Sequence, residues 1–405
     1  MSAMLNTDSV SERSIQNRLA SLTVRLNVLR PKVDAYITTE RVARYLTAIS
    51  DTPAPSTAAS AMRAPILRDL LIEDGALINA RLSLDSNFRN TASTVMLSGT
   101  GMVDKPLWYF AHLDTISYLV KQFDGDRYPL VPFCYHLTSN GRRDARCYRF
   151  SLLQGRYLIA AEGWLESNNG APFFRSADPK ARLQPGDRVV PVTKCTPAPD
   201  GHWTGHFDNA GGVAALAVAA PILAEAGIEA LLAFPDEEEG PTGSGSQIIG
   251  RGSSRIINQL PPPDVAIVSD MQQAVDPYNT TVSSDSTTQL GKGAVLSEFS
   301  SLARGAVTPP PLFALARHLG KLLPDLGVKI QESNNAYTSR SDDVSVLLKT
   351  PNILLLGFPG LNRHFDAADP KANLSDIVDL SKALVYMASV QPLVRGLVNG
   401  LEGRP

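Results

Sequence analysis

Four apolar segments of strand character in this 405-residue chain each end in a histidine or an acidic residue, and segments of helical character separate them. Apolar strands that alternate with helices favour an α/β domain with a mainly parallel or mixed sheet flanked by helices. In such sheets ligands bind beyond the carboxyl ends of the strands, so we expect these polar side chains to meet at one edge. The segments are PLWYFAHLDT with His112, IEALLAFPDEEEG with Asp236 to Glu239, PDVAIVSD with Asp270, and TPNILLLGFPGLNRH with His364.

Composition and charge exclude several classes of protein. Hydrophobic residues make up 43% of the chain and charged residues 19%, which is an ordinary globular balance, and the formal net charge is -2. We therefore expect no nucleic-acid partner, since such binders show a basic excess or patch. We expect no membrane partner either, because no uncharged apolar run reaches about 18 residues. Three cysteines without metal-type spacing, and no secretory signal, predict a cytoplasmic location.

Residues 125–200 interrupt the alternation of strands and helices. Short strand-like runs lie here between Gly, Asn, Asp and Pro, and no helical periodicity appears between them. This pattern predicts an inserted β-rich module of barrel or sandwich type. The catalytic α/β domain would then be discontinuous, with its first part at residues 39–124 and its second part at residues 201–405.

Residues 1–38 are predicted to form an N-terminal helical segment. The helix should cover residues 11–30 and end at Pro31. Two interpretations of its narrow apolar seam stay open: the helix docks on its own domain, or it makes a contact between subunits. The apolar residues recur at spacings of four and three, at Ile15, Leu19, Leu22, Leu26 and Leu29.

The acidic run after the second strand needs an explanation, because four adjacent carboxylates repel one another. Taken alone, the run would indicate a solvated loop. A hydrolytic metal site, however, uses imidazoles and carboxylates to hold an ion and a separate base to deprotonate a water. The chain offers all of these groups near strand ends, and bound cations would stabilise the carboxylates. The candidates are His112, Asp208, the glutamates 237–239, Asp270 and His364.

Five short motifs resemble those of the co-catalytic metallopeptidases, which include glutamate carboxypeptidase-like enzymes, bacterial leucine aminopeptidases and tetrahedral aminopeptidases. The motifs are AHLDT, FDNAGG, DEEEGPTGS, VSD and RHFD, and they occur in the family's order. The insertion between the first histidine and the aspartate of FDNAGG, and the stretch LQPGDRVVP, are similar to the tetrahedral aminopeptidases. The resemblance covers most of the chain from about residue 39.

The resemblance also implies roles for individual residues. Glu237 would be the general base, with Glu239 at a variable position of the motif. Asp114 would orient His112 through a hydrogen bond, although capping of the following turn is an alternative. One or two divalent transition metal ions, zinc or manganese, would be bound. The implied metal ligands are His112, Asp208, Glu238, Asp270 and His364.

The expected activity is hydrolysis of a carbon–nitrogen bond in a small carboxylate-bearing amine or amide. Arg340 and Arg363 would bind the carboxylate, although surface arginines are the alternative interpretation. Three other functions stay open: an aminopeptidase of the tetrahedral type, an aromatic-amine aminohydrolase similar to the enzyme that converts 5-nitroanthranilic acid to 5-nitrosalicylic acid and ammonia, and a metal-free binding module. The expected partners are a small-molecule or short-peptide substrate and further copies of the chain in a homo-oligomer.

Overall fold

The computed structural model describes residues 4–78, 81–100, 102–240, 250–275, 286–335, 340–365 and 367–397. It consists of a mixed sheet flanked by helices, together with a closed barrel, so the predicted α/β class with a barrel-like module is confirmed. The helices are α1 (Met4–Tyr36), α2 (Thr39–Asp51), α3 (Ala59–Glu73), α4 (Phe207–Glu225), α5 (Arg251–Ile257), α6 (Pro310–Leu322), α7 (Asp343–Val346), α8 (Leu374–Met387) and α9 (Gln391–Leu397).

The central sheet brings the carboxyl ends of four strands to one edge. Strands β12, β3, β13 and β17 lie side by side and run parallel, whereas β2 pairs with β12 in the antiparallel sense. All side chains of β12, β3 and β13 are buried, as expected for strands covered by helices on both faces. The strands are β1 (Leu82–Asp85), β2 (Thr94–Ser98), β3 (Leu107–Phe110), β12 (Ala230–Phe234), β13 (Val265–Val268) and β17 (Ile353–Leu361).

Shorter strands extend this sheet beyond β17. Strand β14 is parallel to β17 and directly follows Asp270, while β15 pairs with both β16 and β17. Strands β18, β11 and β10 continue the same sheet in that order. Their bounds are β10 (Thr196–Pro197), β11 (Trp203–Thr204), β14 (Met271–Gln273), β15 (Ala294–Ser297), β16 (Ile330–Glu332) and β18 (Lys371–Ala372).

Six strands form the closed barrel, in the order β4-β5-β8-β7-β6-β9. Its first strand lies ahead of residue 125, so the barrel begins earlier than the predicted insertion; the domain boundaries themselves stay a prediction. Phe365, which follows His364, is 3% exposed and packs in the barrel core, which places the barrel directly against the end of β17. The strands are β4 (Ser117–Val120), β5 (Tyr128–Phe133), β6 (Gly141–Ser151), β7 (Arg156–Asn168), β8 (Ala171–Ser176) and β9 (Arg188–Pro191).

Helix α1 does not end at Pro31, so that part of the prediction was wrong. The helix continues through the proline to Tyr36. The apolar seam also continues beyond it: Leu26 and Val33 are both buried in the main core. That burial holds the helix together across the position where the proline removes a hydrogen bond. The described part of the seam is therefore docked on its own domain, while a subunit contact stays a prediction.

Helix α4 packs against the sheet through a surface of small residues. A Cβ atom at Gly211 would lie 2.4 Å from the ring of Phe358 on β17, so only glycine permits this close approach. The helix is long and apolar enough to span a membrane, as is the segment Leu374–Val394, but 94% and 78% of these two segments are buried inside the fold. Their apolar character is thus explained by the core.

Candidate metal centre

The polar residues predicted at the strand ends meet at one edge of the sheet. His112 follows β3, Asp270 follows β13, and Asp208 lies in the first turn of α4. All three side chains are buried. His112 Nε2 lies 3.2 Å from Asp208 Oδ1 and 3.7 Å from Asp270 Oδ1. These three residues form a group whose ligand atoms are close enough to hold one metal ion.

A second group shares Asp208 with the first. His364, which follows β17, lies with its Nε2 atom 3.4 Å from Asp208 Oδ2 and 3.4 Å from Glu239 Oε2. These three residues could also hold an ion. The two oxygens of Asp208 therefore face two different imidazoles, and a single carboxylate lies between the two groups.

Several atoms of these two groups lack a hydrogen-bond partner and are of the kind that a divalent metal ion binds. Among the described residues, the buried atoms His112 Nε2, Asp208 Oδ1 and Glu239 Oε1 have no hydrogen-bond partner. A buried polar atom without a hydrogen-bond partner destabilises the folded state by about 1–3 kcal/mol. Imidazole nitrogens and carboxylate oxygens are ligands that suit divalent transition metals. The donor set thus fits such an ion.

Burial also makes the clustered carboxylates hard to ionise together. It raises the pKa of Glu238 and of Glu239 well above the usual range of a carboxyl group. Neighbouring carboxylates add to this rise, Asp270 acting on Glu238 and Asp208 acting on Glu239. A bound cation would reverse this effect, because it favours the charged form of each carboxyl group.

Asp114 joins His112 to the acidic turn. Its backbone oxygen lies 3.1 Å from His112 Nδ1, and its Oδ1 atom lies 3.5 Å from the same nitrogen. The same carboxylate accepts hydrogen bonds from the backbone amides of Glu238, at 3.0 Å, and Glu239, at 3.2 Å, and from the hydroxyl of Ser56. Asp114 therefore lies beside the imidazole, and it also anchors the turn that carries the acids; its orienting role stays a prediction.

The side chain of Glu237 does not join either metal group. Its Oε1 atom lies 2.6 Å from Arg255 Nη2, and its Oε2 atom lies 3.5 Å from Arg251 Nη1. The backbone of Glu237 has a φ of 64°, in the left-handed region. Because of this turn, the side chain of Glu237 points in a different direction from those of Glu238 and Glu239. The two arginines neutralise the charge of Glu237.

Glu238 and Glu239 point to the centre instead, which differs from the prediction by one residue. Glu238 Oε2 lies 3.7 Å from His112 Nε2, and Glu239 faces His364. The geometry thus does not support Glu237 as the base and Glu238 as the ligand. The motif spacing that suggested those roles includes residues 241–244, which lie outside the described residues.

Asp236, the first acid of the run, has a structural position. Its carboxylate accepts hydrogen bonds from the backbone amides of Thr57, at 2.8 Å, and Ala59, at 2.9 Å, at the start of α3. It also accepts one from the amide of Glu237. The four acids therefore have three kinds of position. Asp236 anchors the start of α3, Glu237 is ion-paired, and Glu238 and Glu239 face the centre.

Comparisons with known proteins point to a peptidase-like chain. A profile of the peptidase family M20/M25/M40 matches residues 189–389. The matched segment spans just under half of the chain, and together with the fold it is consistent with the clan of co-catalytic metallopeptidases. The family match and the shared fold support a metal-dependent hydrolase. No curated protein matches the sequence.

Several solved structures share the fold. A TET1 peptidase of Pyrococcus horikoshii is 18% identical with a TM-score of 0.63, and the alignment covers 86% of this chain and 99% of that one. An aminopeptidase from the archaeon Desulfurococcus kamchatkensis is 16% identical with a TM-score of 0.66, covering 89% and 98%. A TET aminopeptidase from a marine sediment thaumarchaeote is 15% identical with a TM-score of 0.66, covering 89% and 99%. At such low sequence identities, the similarity to these structures shows only that the fold is shared.

The two predicted substrate arginines contact different residues. Arg363 Nη1 is 3.9 Å from Asp208 Oδ2, and its side chain is 14% exposed. Arg340 instead donates a hydrogen bond to the hydroxyl of Tyr135, with 2.6 Å between Nη2 and the phenol oxygen. Tyr337, which begins the polar stretch predicted to approach the metals, lies outside the described residues.

Two residues near the centre were missed in the sequence. Tyr135 comes from the barrel, and its backbone oxygen lies 3.0 Å from His364 Nδ1. Asp342 is fully buried, and burial raises the pKa of its carboxyl group to about 7, with an opposing effect of His112. No motif or spacing indicated Tyr135. The paired aspartates in SRSDD were the available signal for Asp342, since clustered carboxylates are typical of metal sites.

Proposed function

We propose that this chain hydrolyses a carbon–nitrogen bond in a small carboxylate-bearing amine or amide, with Glu238 as the general base. One divalent ion would be held by His112, Asp208 and Asp270, and a second by Asp208, Glu239 and His364. The observation that supports this most directly is the position of Asp208, whose two oxygens face the two imidazoles at 3.2 Å and 3.4 Å. Zinc and manganese are the ions that we propose.

The general base must lie beside the metals without being one of their main ligands. Glu238 fits this requirement, because its carboxylate is buried and lies 3.7 Å from His112 Nε2, outside both ligand groups. When bound, the ions supply Lewis acidity, which polarises the scissile group and lowers the pKa of water. Glu238 would accept the proton of the attacking water and return it to the departing amine.

The positions of the arginines support a carboxylate-bearing substrate. The centre concentrates four carboxylates, from Asp208, Glu238, Glu239 and Asp270, and these would repel an anionic ligand. Arg363 places a cation 3.9 Å from Asp208 and thereby weakens that repulsion. Small-molecule sites commonly use a few convergent polar groups to fix one substrate. We therefore place such a substrate ahead of a long apolar peptide.

An aminopeptidase of the tetrahedral type is the second candidate. It is supported by the fold shared with the archaeal aminopeptidases and with the Pyrococcus horikoshii peptidase. That peptidase is described as assembling into a tetrahedron or a large octahedral shell. We propose a homo-oligomer for this chain as well. An aromatic-amine aminohydrolase would use the same centre. A metal-free binding module is disfavoured by the intact donor set, and a cytoplasmic location stays a prediction.

A substrate screen on protein loaded with zinc or manganese tests this proposal. Dipeptides, longer peptides, acylated amino acids and aromatic amines that include 5-nitroanthranilic acid would be assayed for released amine or ammonia. We expect turnover of small carboxylate-bearing compounds. Equal release of amino acids from many unrelated long peptides would instead establish an ordinary aminopeptidase. Loss of all turnover together with an absence of bound metal would favour the binding module.

A further inference from the structure

Tyr135, which follows a barrel strand, contacts both His364 and Arg340. It follows strand β5, two residues after Phe133. Its backbone oxygen lies 3.0 Å from His364 Nδ1, so that nitrogen carries the proton and donates it to the carbonyl. The lone pair of Nε2 then faces the ligands Asp208 and Glu239. The main chain of Tyr135 therefore fixes the orientation of a predicted metal ligand.

The side chain of the same residue contacts a cation. Arg340 Nη2 donates to the phenol oxygen at 2.6 Å, and the guanidinium carbon lies 5.6 Å from the centre of the ring. A phenol that accepts a hydrogen bond keeps its own O–H group as a donor. Tyr135 is 40% exposed, so a ligand can reach this donor. Tyr135 and Arg340 thus present an O–H donor and a positive charge together.

This combination suits a carboxylate. Carboxylates are acceptors only, and charge-assisted hydrogen bonds to them are the stronger kind. The four carboxylates of the centre repel a carboxylate and Arg363 only weakens that repulsion, whereas the phenol and the guanidinium offer a donor and a second positive charge. The residue that carries this phenol is also the one whose carbonyl contacts the predicted metal ligand His364.

We propose that Tyr135 is a specificity-determining residue, which together with Arg340 binds the carboxylate of the substrate. This inference rests on the proposed function and deepens it, since it assigns to the barrel a part in choosing the substrate. The site would prefer a carboxylate-bearing amine or amide over the same compound with a carboxamide. The competing explanation is that the Arg340–Tyr135 bond only fastens the barrel to the catalytic domain.

Matched acids and amides distinguish the two explanations. The pairs are glycyl-leucine with glycyl-leucinamide, and 5-nitroanthranilate with its carboxamide. Their kcat and KM would be measured on the metal-loaded protein and on Tyr135→Phe, Arg340→Met and Arg340→Lys. Tyr135→Phe keeps the carbonyl that holds His364 and removes only the hydroxyl. Arg142→Met is the matched control, because Arg142 also stacks on an aromatic side chain, that of Trp164 in the barrel, at 3.8 Å.

We expect at least one acid to be preferred over its amide. Tyr135→Phe should reduce the preference about tenfold, through KM, since a hydrogen bond to a charged group is lost. Arg340→Met should abolish the preference, Arg340→Lys should keep part of it, and the control should leave it unchanged. If the bond is only a fastening, Tyr135→Phe will affect the acid and the amide equally, and the inference is wrong.

A binding measurement keeps the inference separate from the proposed function. Calorimetry with metal-loaded Glu238→Gln, alone and combined with Tyr135→Phe, would give the affinities of the same acids and amides. Tighter binding of an acid that depends on the Tyr135 hydroxyl supports the inference, even if no compound is hydrolysed and the proposed function fails. Equal binding of acid and amide overturns the inference, even if both compounds are hydrolysed and the proposed function stands.

Discussion

Glu237 forms an ion pair with Arg255 at 2.6 Å, and this pair separates it from the metal centre that its two successors face. Glu238 lies 3.7 Å from His112, and Glu239 lies 3.4 Å from His364. The sequence alone suggested that the base was the first glutamate of the run. We therefore propose both roles one residue further along the run, with Glu238 as the base and Glu239 as the ligand.

The new assignment predicts different effects for neighbouring substitutions. Glu238→Gln should lower kcat by about 10²-fold or more while metal content is kept, because the loss of a general base affects the proton transfer. Glu237→Gln is the matched control and should change kcat only a few-fold, since a partly exposed ion pair contributes about 1 kcal/mol or less. Steady-state kinetics and metal analysis of both variants provide the measurement. The reverse pattern would restore the assignment made from the sequence.

Asp114 is predicted to act on metal affinity through its neighbours. Asp114→Ala removes the carboxylate beside His112 and the acceptor for the amides of Glu238 and Glu239. Loss of such a supporting group typically costs about 10–100-fold in metal affinity or activity. Competition with a chelator would measure the affinity. Asp114→Asn, which keeps an acceptor oxygen, should lie between the wild type and the alanine variant, and unchanged affinity in both variants would refute the role.

Asp376 predicts a pH dependence of stability outside the metal centre. Its carboxylate accepts hydrogen bonds from the amides of Gly291 and Gly293, both at 2.7 Å, and burial raises its pKa to about 7. The folded state thus binds this proton more tightly than the unfolded state, whose pKa is about 3.9. The contribution of Asp376 to the free energy of unfolding is complete below about pH 3.9. It is lost as the pH rises towards about 7, by up to about 4 kcal/mol.

Comparison with Asp376→Asn isolates that contribution from the other titrating groups. We expect the free energy of unfolding of the wild type to fall more steeply between about pH 4 and pH 7 than that of the variant. Urea unfolding at a series of pH values measures both. Equal slopes in the two proteins would show that the carboxyl group of Asp376 titrates alike in the folded and unfolded states.

Much of the site could be predicted because it follows strand order. His112, Asp270 and His364 each follow a buried strand, and parallel strands place their carboxyl ends at one edge. Which glutamates of the acidic run face the centre could not be predicted, because this depends on the left-handed backbone at Glu237. Nor could the contact of Tyr135 with His364, because Tyr135 follows a barrel strand that is distant from His364 in the sequence.

The helix at the N-terminus shows a similar limit. Pro31 was expected to end it, because proline removes a backbone donor. The burial of Leu26 and Val33 on either side keeps the helix intact through the proline. Local sequence rules gave the helix and its apolar face, while its end depended on tertiary packing that a local rule does not contain.

Metal stoichiometry tests most directly whether two metal ions share Asp208. Native mass spectrometry would count divalent ions on the wild type, on Glu239→Ala and on the double variant His112→Ala/His364→Ala, with folding checked by circular dichroism. We predict two ions on the wild type, one on Glu239→Ala, and neither metal nor activity on the folded double variant. A single ion on the wild type, or a folded double variant that stays fully active without bound metal, would contradict the account.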